Sequence, residues 1–354
     1  MTAISAGARR LMHRRIPLGW WLIGLTVLLV LALVWSVTAG SVRIPSGDVW
    51  AMVWHRLTGA VEPWWTPARE AIVIDSRVPR ALTAAAVGAS LAIAGGSAQA
   101  VTRNPLADPY LLGVSAGAGF GVVCATVLGI TGGVAGWLLI PVAAFIGGMV
   151  PMAVALAVAQ AVRTPTAMIL TGVAMGQVFS ALVTFVLLVI ARERQLVSVL
   201  HWMAGGFGDA RWRSLIIPVV ALVVVGSLLL LAGRQLDLLH AGEDGAAALG
   251  LPVHRFRILI LLAVSLLAGT SVAVAGGIGF IGLLIPHLAG MLVGVRARRL
   301  LPVAALTGAV ALVGADTFAR SVSQAVELPV GVVTALIGAP VFVFMLLRTA
   351  RGTK

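Results

Sequence analysis

The chain has 354 residues, of which 60% are hydrophobic and only 10% are charged, and its mean hydropathy is +1.06. Soluble globular domains carry about 25% charged residues, so this composition excludes an ordinary soluble protein. The net charge of +13 comes from arginines placed between apolar runs, which is typical of loops beside membrane spans and not of a nucleic-acid surface. The sequence therefore predicts an all-α, polytopic membrane protein.

Ten apolar runs are long enough to be membrane helices, since a span needs about 20 residues. The first run follows Arg9, Arg10, Arg14 and Arg15 and is longer than the apolar part of a secretory signal, which predicts an uncleaved helix with a cytoplasmic N-terminus. Ten spans return the C-terminus to the cytoplasm. The predicted spans are residues 18–39, 81–101, 111–130, 134–161, 168–191, 215–233, 258–276, 278–295, 301–320 and 330–347.

Two hydrophilic segments exceed a simple turn. Residues 41–80, predicted outside, carry several tryptophans, which favour a membrane interface. Residues 234–257, predicted inside, contain AGEDGAAALGLP, which indicates one or two short helices at the cytoplasmic surface. The glycine-rich runs at 88–96 and 273–282 lie inside spans and predict closely packed helices.

Hydrolysis of ATP by this chain is excluded by its composition. A P-loop needs a lysine beside the phosphates, and the only lysine is Lys354. The histidines are scattered without HExxH spacing and Cys124 stands alone, so no metal site is predicted. The chain is expected to bind no cofactor of its own, and any ATP-driven work must come from a partner chain, which would then bind the ATP with its Mg²⁺.

Two further residues leave alternatives open. GVSAG at 113–117 offers Ser115 as a nucleophile of an intramembrane hydrolase, although a nucleophile elbow requires a strand-to-helix turn and a small-residue cluster at a helix start also serves packing. Asp316 lies at membrane depth, where an acid is costly and often functional. It either serves a proton-coupled carrier or pairs with Arg320, which lies four residues later on the same helix face.

Long motifs in the sequence resemble a known family. RVPRALTAAAVGASLAIAGGSAQAVTRNPLADPYLLGVSAGAGFG (77–121), GGIGFIGLLIPHLAG (276–290), AD...R (315–320) and ELPVGVVTALIGAPVF (327–342) closely resemble the iron-siderophore, haem and vitamin B12 permeases of bacterial ATP-binding-cassette importers. The resemblance implies the type II importer permease fold. It also implies a single permease domain over residues 1–354, with a membrane core from residue 17 and a cytoplasmic coupling segment at 234–257.

The resemblance further implies a multi-pass, non-catalytic subunit in the bacterial cytoplasmic (inner) membrane. Its expected partners are two cytoplasmic ATPase subunits, an extracytoplasmic binding protein, a second identical or related permease subunit and the lipid bilayer. The expected substrate is a ferric siderophore, with vitamin B12 and haem as alternatives. A proton-coupled carrier and an intramembrane serine hydrolase are the rival classes.

Three sets of site residues follow from the resemblance. Docking arginines, expected to face carboxylates of the binding protein, are Arg77, Arg80 and Arg320. ATPase-coupling residues are Gly242, Glu243, Ala247, Leu249 and Gly250. Cytoplasmic gate residues are Asn104, Pro105, Pro165 and Thr166, which fall in proline-containing turns. One departure is Gly290, which stands where the family usually has an arginine.

Overall fold

The computed structural model describes residues 17–40, 42–129, 136–162, 165–322 and 327–352, and every regular element in these ranges is helical. In chain order the α-helices are α1 (Leu18–Thr38), α2 (Ser46–Thr58), α3 (Pro67–Thr102), α4 (Val114–Val127), α5 (Gly136–Val162), α6 (Pro165–Val189), α7 (Glu193–Met203), α8 (Trp212–Leu231), α9 (Gly233–Leu238), α10 (Glu243–Ala248), α11 (Val253–Ala275), α12 (Ile281–Val293), α13 (Ala297–Ser321) and α14 (Val330–Gly352). The arginines predicted to precede α1 lie outside the described residues.

The predicted all-α membrane fold is confirmed. Within the described ranges, seven helices are long and apolar enough to cross a membrane, and three apolar helices are shorter. The seven are α1, α3, α5, α6, α8, α11 and α13, and the three are α4, α12 and α14. Together they fall at the ten predicted positions.

The largest difference from the predicted boundaries is at α3, which begins at Pro67 instead of residue 81. Thr66 caps this helix by accepting a hydrogen bond from the backbone N–H of Arg69, and proline is well suited to a first turn. Charged residues in these first turns, which include a π-helical stretch at Ile72–Arg77, gave the segment the appearance of a loop. The amphipathic helices α2 and α7 were also missed, because only one face of each is apolar.

Helix α3 is the centre of the bundle. It is mostly buried, packs most extensively against α13 and also contacts α11 and α12. Glycines permit this approach: a Cβ on Gly88 would overlap the carbonyl oxygen of Gly308, and a Cβ on Gly95 would overlap that of Gly282. The close packing predicted from the glycine-rich runs is confirmed.

A proline in α12 creates a second link to α3. Pro286 has no N–H, so the carbonyl oxygen of Gly282 loses its helical donor. The side-chain amide of Gln99 donates to this oxygen at 3.3 Å and to the carbonyl oxygen of Leu283 at 3.1 Å. The hydrogen bonds fix α12 against α3 where the two backbones are closest.

Candidate functional site

Charged side chains gather at both ends of α3. The α-helical part of α3, Val78–Thr102, has 25 residues and spans about 37 Å, which is enough to cross the membrane core. We call the cluster of Arg77, Arg80, Asp316, Arg320 and Glu327 the arginine end. The cluster of Arg103, Glu243 and Arg257 is called the Glu243 end.

At the arginine end, Asp316 of α13 holds two arginines. Nε of Arg80 donates to both carboxylate oxygens at 3.0 and 3.2 Å, and Nη2 of Arg80 lies 2.9 Å from Oδ1. Nε of Arg320 donates to Oδ2 at 3.1 Å. The pairing of Asp316 with Arg320 is thus confirmed, and Arg80 joins it from a distant part of the chain. Both oxygens of Asp316 are thus engaged by arginines, which favours the pairing alternative over a role in a proton-coupled carrier.

Two of the arginines also secure the end of α1. The last carbonyl groups of a helix have no donors of their own within the helix. Arg77 and Arg320 supply donors from α3 and α13. The acceptors are the carbonyl oxygens of Val37, Thr38 and Val42 for Arg77, and the carbonyl oxygens of Ser36 and Ala39 with the Ser36 hydroxyl for Arg320. The arginines therefore join α1 to the centre of the bundle.

The three predicted docking arginines are interior groups in the isolated chain. Each of Arg77, Arg80 and Arg320 exposes at most 7% of its surface. Glu327 covers Arg80, with Oε2 2.9 Å from Nη1, and 42% of the Glu327 side chain is exposed. Contact with an external protein stays a prediction. No pattern in the sequence indicates the role of Glu327, because it pairs with a residue 247 positions away.

At the Glu243 end, one carboxylate oxygen faces two guanidinium groups. Oε1 of Glu243 lies 2.7 Å from Nη2 of Arg257 and 3.5 Å from Nη2 of Arg103. The hydrogen bond from Arg257 and then its charge lower the pKa of Glu243 below its ordinary value; burial opposes this shift, and the charge of Arg103 adds the smallest contribution. About half of the Glu243 and Arg103 side chains is exposed, 48% and 44%.

The predicted coupling segment folds into α9, a 3₁₀ turn at Leu239–Ala241, and α10. Gly242 and Gly250 flank α10 with φ values of 90° and 86°, a region that glycine adopts without strain. Ala247 and Leu249 are exposed, so α10 presents an apolar surface away from the bundle. Other residues attach the segment to the bundle, since Oδ1 of Asp237 accepts a hydrogen bond from the first N–H of α13 at 2.6 Å.

The predicted gate loop begins at the last turn of α3. Arg103 has a φ of 52°, and Asn104 closes the turn by accepting the N–H of Leu106 on its side chain at 2.9 Å. Asp108 is buried and accepts the N–H of Tyr110 at 2.9 Å, and burial raises the pKa of its carboxyl group to about 6. Pro105 lies between these two capped turns.

The second predicted gate segment lies at the start of α6. Pro165 and Thr166 are its first residues, and their side chains lie outside the described part of the chain. The 3₁₀ turn Pro109–Leu112, which follows the gate loop, packs against α6. The turn that follows the first gate segment therefore packs against the helix that begins with the second, although the two segments are separated in the sequence.

A cavity of about 320 Å³ lies beside this contact, between α4, α6 and α7. Its polar lining includes Tyr110, Ser115, Gln177 and Ser180. The Tyr110 hydroxyl also accepts the backbone N–H of Ile278 at 3.1 Å, in the break between α11 and α12. The cavity thus touches both the 3₁₀ turn that follows the gate loop and the break between α11 and α12.

Ser115 stands in the first turn of α4, after a 3₁₀ turn and not after a strand. The strand-to-helix turn that makes a nucleophile elbow is therefore missing at this position. In the described ranges, no group of three or more His, Cys, Asp or Glu side chains is placed to hold a metal ion. The local geometry supports a lining role for Ser115.

Known proteins match nearly the whole chain. The FecCD transport family matches residues 28–348. The vitamin B12 import system permease protein BtuC of Klebsiella pneumoniae is 40% identical over 329 residues, which cover 93% of this chain and 94% of that protein. The uncharacterized ABC transporter permease protein YvrB of Bacillus subtilis is 37% identical over 337 residues, 94% of this chain and 95% of that protein.

A solved structure supports the same assignment. The inward-facing conformation of a putative metal-chelate type ABC transporter superposes with a TM-score of 0.79 at 33% identity, covering 92% of this chain and 98% of that one. These matches confirm the resemblance carried by the sequence motifs. The chain belongs to the FecCD transport family, the family of membrane-spanning permeases of type II ATP-binding-cassette importers.

Proposed function

We propose that the chain is the permease subunit of an ATP-driven importer for a metal chelate with a large organic shell. The observation that carries this proposal is the family match over residues 28–348, which includes six of the seven long apolar helices in full and the second half of α1. A chain whose only lysine is Lys354 needs ATPase partners, and two cytoplasmic ATPase subunits fill that role. A second permease subunit, identical or related, and an external binding protein complete the assembly.

The proposed substrates are vitamin B12 and a ferric siderophore, with haem as a third member of the same class. The sequence motifs led us to favour the siderophore. One relative at 40% identity is named for vitamin B12 import, so we propose vitamin B12 and the ferric siderophore with equal weight. All three are metal chelates enclosed by organic ligands, so the permease itself coordinates no metal in this proposal.

We assign the arginine end to the outside of a bacterial inner membrane and the Glu243 end to the cytoplasm. Both termini are then cytoplasmic, in agreement with the arginines before α1 and the positive-inside rule. Residues 234–257 serve as the coupling segment of a single permease domain. Asn104, Pro105, Pro165 and Thr166 form the cytoplasmic gate.

The arginine end is the proposed docking site for the binding protein, with Arg80 as its central residue. Glu327 is the exposed carboxylate on Arg80, so a carboxylate of the binding protein reaches Arg80 by replacing it. Glu327→Gln removes the internal competitor and is expected to tighten binding of the binding protein by about two- to fivefold, the range of a half-exposed ion pair. Glu62→Gln, an exposed acid on the same side, is the matched control.

Titration of the purified permease complex with its binding protein tests this exchange. Weaker binding by Glu327→Gln than by the parent protein would show that Glu327 itself is a docking group. Equal binding would mean that Arg80 is not part of the interface, because loss of its exposed partner would then leave the affinity for the binding protein unchanged.

The transport function is tested in proteoliposomes that contain the permease with its co-purified ATPase. Labelled vitamin B12, ferric siderophore and haem are offered in parallel with the binding protein, with ATP or with a non-hydrolysable analogue, and with or without a protonophore. We expect uptake of one chelate that requires ATP hydrolysis and survives the protonophore. Uptake without an ATPase that stops with the protonophore would overturn the proposal in favour of a proton-coupled carrier.

A further inference from the structure

The coupling segment and the gate loop, both predicted for the cytoplasmic side, are connected through one oxygen atom of Glu243. Oε1 of Glu243, in the coupling segment, lies 3.5 Å from Nη2 of Arg103, which immediately precedes the gate residue Asn104. The same oxygen lies 2.7 Å from Nη2 of Arg257 in α11. One carboxylate thus joins the coupling segment, the gate loop and a long membrane helix.

The backbone is held differently on the two sides of the contact between Arg103 and Glu243. Arg103 closes α3 in the left-handed region, and the N–H of Asn104 donates to the carbonyl oxygen of Gln99 at 3.1 Å. The start of the gate loop is therefore fixed to the end of α3. Glu243 is the first residue of α10 and follows Gly242, whose φ of 90° is a conformation that glycine adopts without strain.

The ion cluster is incompletely satisfied, which allows it to change geometry. Nε of Arg257 is buried and has no acceptor among the described residues. Glu243 therefore binds Arg257 through one oxygen and not through the two-point contact that arginine and carboxylate favour. With a single oxygen as pivot, a displacement of α10 keeps the 2.7 Å contact with Arg257 and alters the longer contact with Arg103.

We propose that Glu243 is a positioning residue that ties the coupling segment to the gate loop, so that movement of α10 by the ATPase reaches Asn104 through Arg103. This inference rests on the proposed function, because it needs an ATPase at the Glu243 end. It predicts that loss of the Arg103 contact impairs transport while ATP hydrolysis continues.

A double-mutant cycle in the complete transporter tests the tie. Arg103→Gln, Glu243→Gln and the double variant are compared for chelate molecules imported per ATP hydrolysed, with whichever of vitamin B12 and ferric siderophore the parent protein imports. Each single variant is expected to lower this ratio by about two- to fivefold, the range available to a half-exposed ion pair. The double variant is expected to match Glu243→Gln, since Arg103 has already lost its partner in that variant.

Two matched variants separate the tie from general effects of charge. Glu243→Asp keeps the charge for the ATPase and shortens its reach to Arg103 by one methylene, so it is expected to behave like Glu243→Gln. Arg299→Gln removes an exposed arginine in the first turn of α13, outside the coupling segment and without an ion-pair partner within the described ranges, and is expected to leave the ratio unchanged.

Hydrogen exchange gives a readout that is independent of transport. We expect faster exchange at Leu106 and Ala107 in Arg103→Gln and in Glu243→Asp, and parent-like exchange in Arg299→Gln. Parent-like import ratios, or reductions that add in the double variant, would overturn the tie while leaving the importer assignment intact. A parent protein that retains no ATPase and imports no chelate would instead overturn the assignment itself, and the tie with it.

Discussion

The arginine end and the Glu243 end contain the same kinds of charged group in opposite states. At the arginine end, Asp316 is fully buried and both of its oxygens accept hydrogen bonds from guanidinium groups. At the Glu243 end, the carboxylate is half exposed, one oxygen carries both contacts, and Nε of Arg257 lacks an acceptor among the described residues. At the arginine end both carboxylate oxygens of Asp316 are in use, whereas the Glu243 end retains an unpaired donor.

This difference teaches where the bundle is fixed and where it is free to move. Buried ions are held strongly in place because each partner would be left unpaired by a displacement. Exposed pairs contribute little and are screened by salt, so they break and re-form at low cost. Helix α3 connects the fixed arginine end to the adjustable Glu243 end.

The largest expected effect is at the fixed end. Asp316→Asn leaves Arg320 buried without a counter-charge and leaves Arg80 with only the half-exposed Glu327, and breaking a buried ion pair in this way costs about 3–5 kcal/mol. We expect a clearly lower apparent unfolding temperature in detergent, measured at one fixed scan rate because membrane proteins often unfold irreversibly. Glu327→Gln is the control and should lower the unfolding temperature much less, since Glu327 is half exposed. An Asp316→Asn protein as stable as the parent would mean that the arginine end is not the fixed end.

The next effect tests whether the rigidity of the arginine end continues along α3. Gly95→Ala places a methyl group against the carbonyl oxygen of Gly282, and overpacking of this kind costs about 1–3 kcal/mol. Gly24→Ala in α1 is the matched control, because a Cβ there meets nothing within 4 Å. Thermal unfolding of both variants is expected to separate them clearly, and equal midpoints would show that α3 and α12 move apart without cost.

Most of this fold was predictable because membrane helices are encoded by composition over about 20 residues. The exceptions have physical reasons. The start of α3 at Pro67 and the amphipathic helices α2 and α7 carry too many polar residues to be recognised by hydropathy. The glycine contacts were predictable in kind, while the pairing of Gly95 with Gly282 required the folded chain.

The candidate site was predictable only where its partners are close in sequence. Asp316 and Arg320 form an i, i+4 pair, and the sequence alone presents that pairing. Nothing in the spacing of Arg80 and Glu327 reveals their contact. The family motif placed Glu243 in the coupling segment, yet its contact with Arg103 depends on how α10 lies against the end of α3.

A smaller effect is expected from pH at the gate loop, near the adjustable end. Burial raises the pKa of Asp108 from its ordinary value of 3.8 to about 6. The folded state therefore binds its proton more tightly than the unfolded state, and the stability contributed by that proton is present below pH 4 and lost as the pH rises through 6. Between pH 5 and pH 7 the loss is roughly 1 kcal/mol.

Asp108→Asn removes this titration and keeps an oxygen for the N–H of Tyr110. We expect the difference between the unfolding temperatures at pH 5 and pH 7 to shrink in this variant. Asp244→Asn, which removes an exposed acid, should keep the parent difference. A pH response unchanged by Asp108→Asn would mean that the carboxyl group is hydrated and that the gate loop opens freely.

The smallest expected effect on stability distinguishes the two ends most directly. Glu243→Gln removes a half-exposed pair and is expected to cost no more than about 0.5 kcal/mol at low salt. Raising the ionic strength screens an exposed pair but hardly reaches a buried one. The stability difference between Glu243→Gln and the parent should therefore vanish in 1 M salt, where the Debye length is about 3 Å, while that of Asp316→Asn persists. Equal salt dependence of the two variants would mean that both clusters are hydrated alike, and α3 would then have no fixed end from which to act on the gate loop.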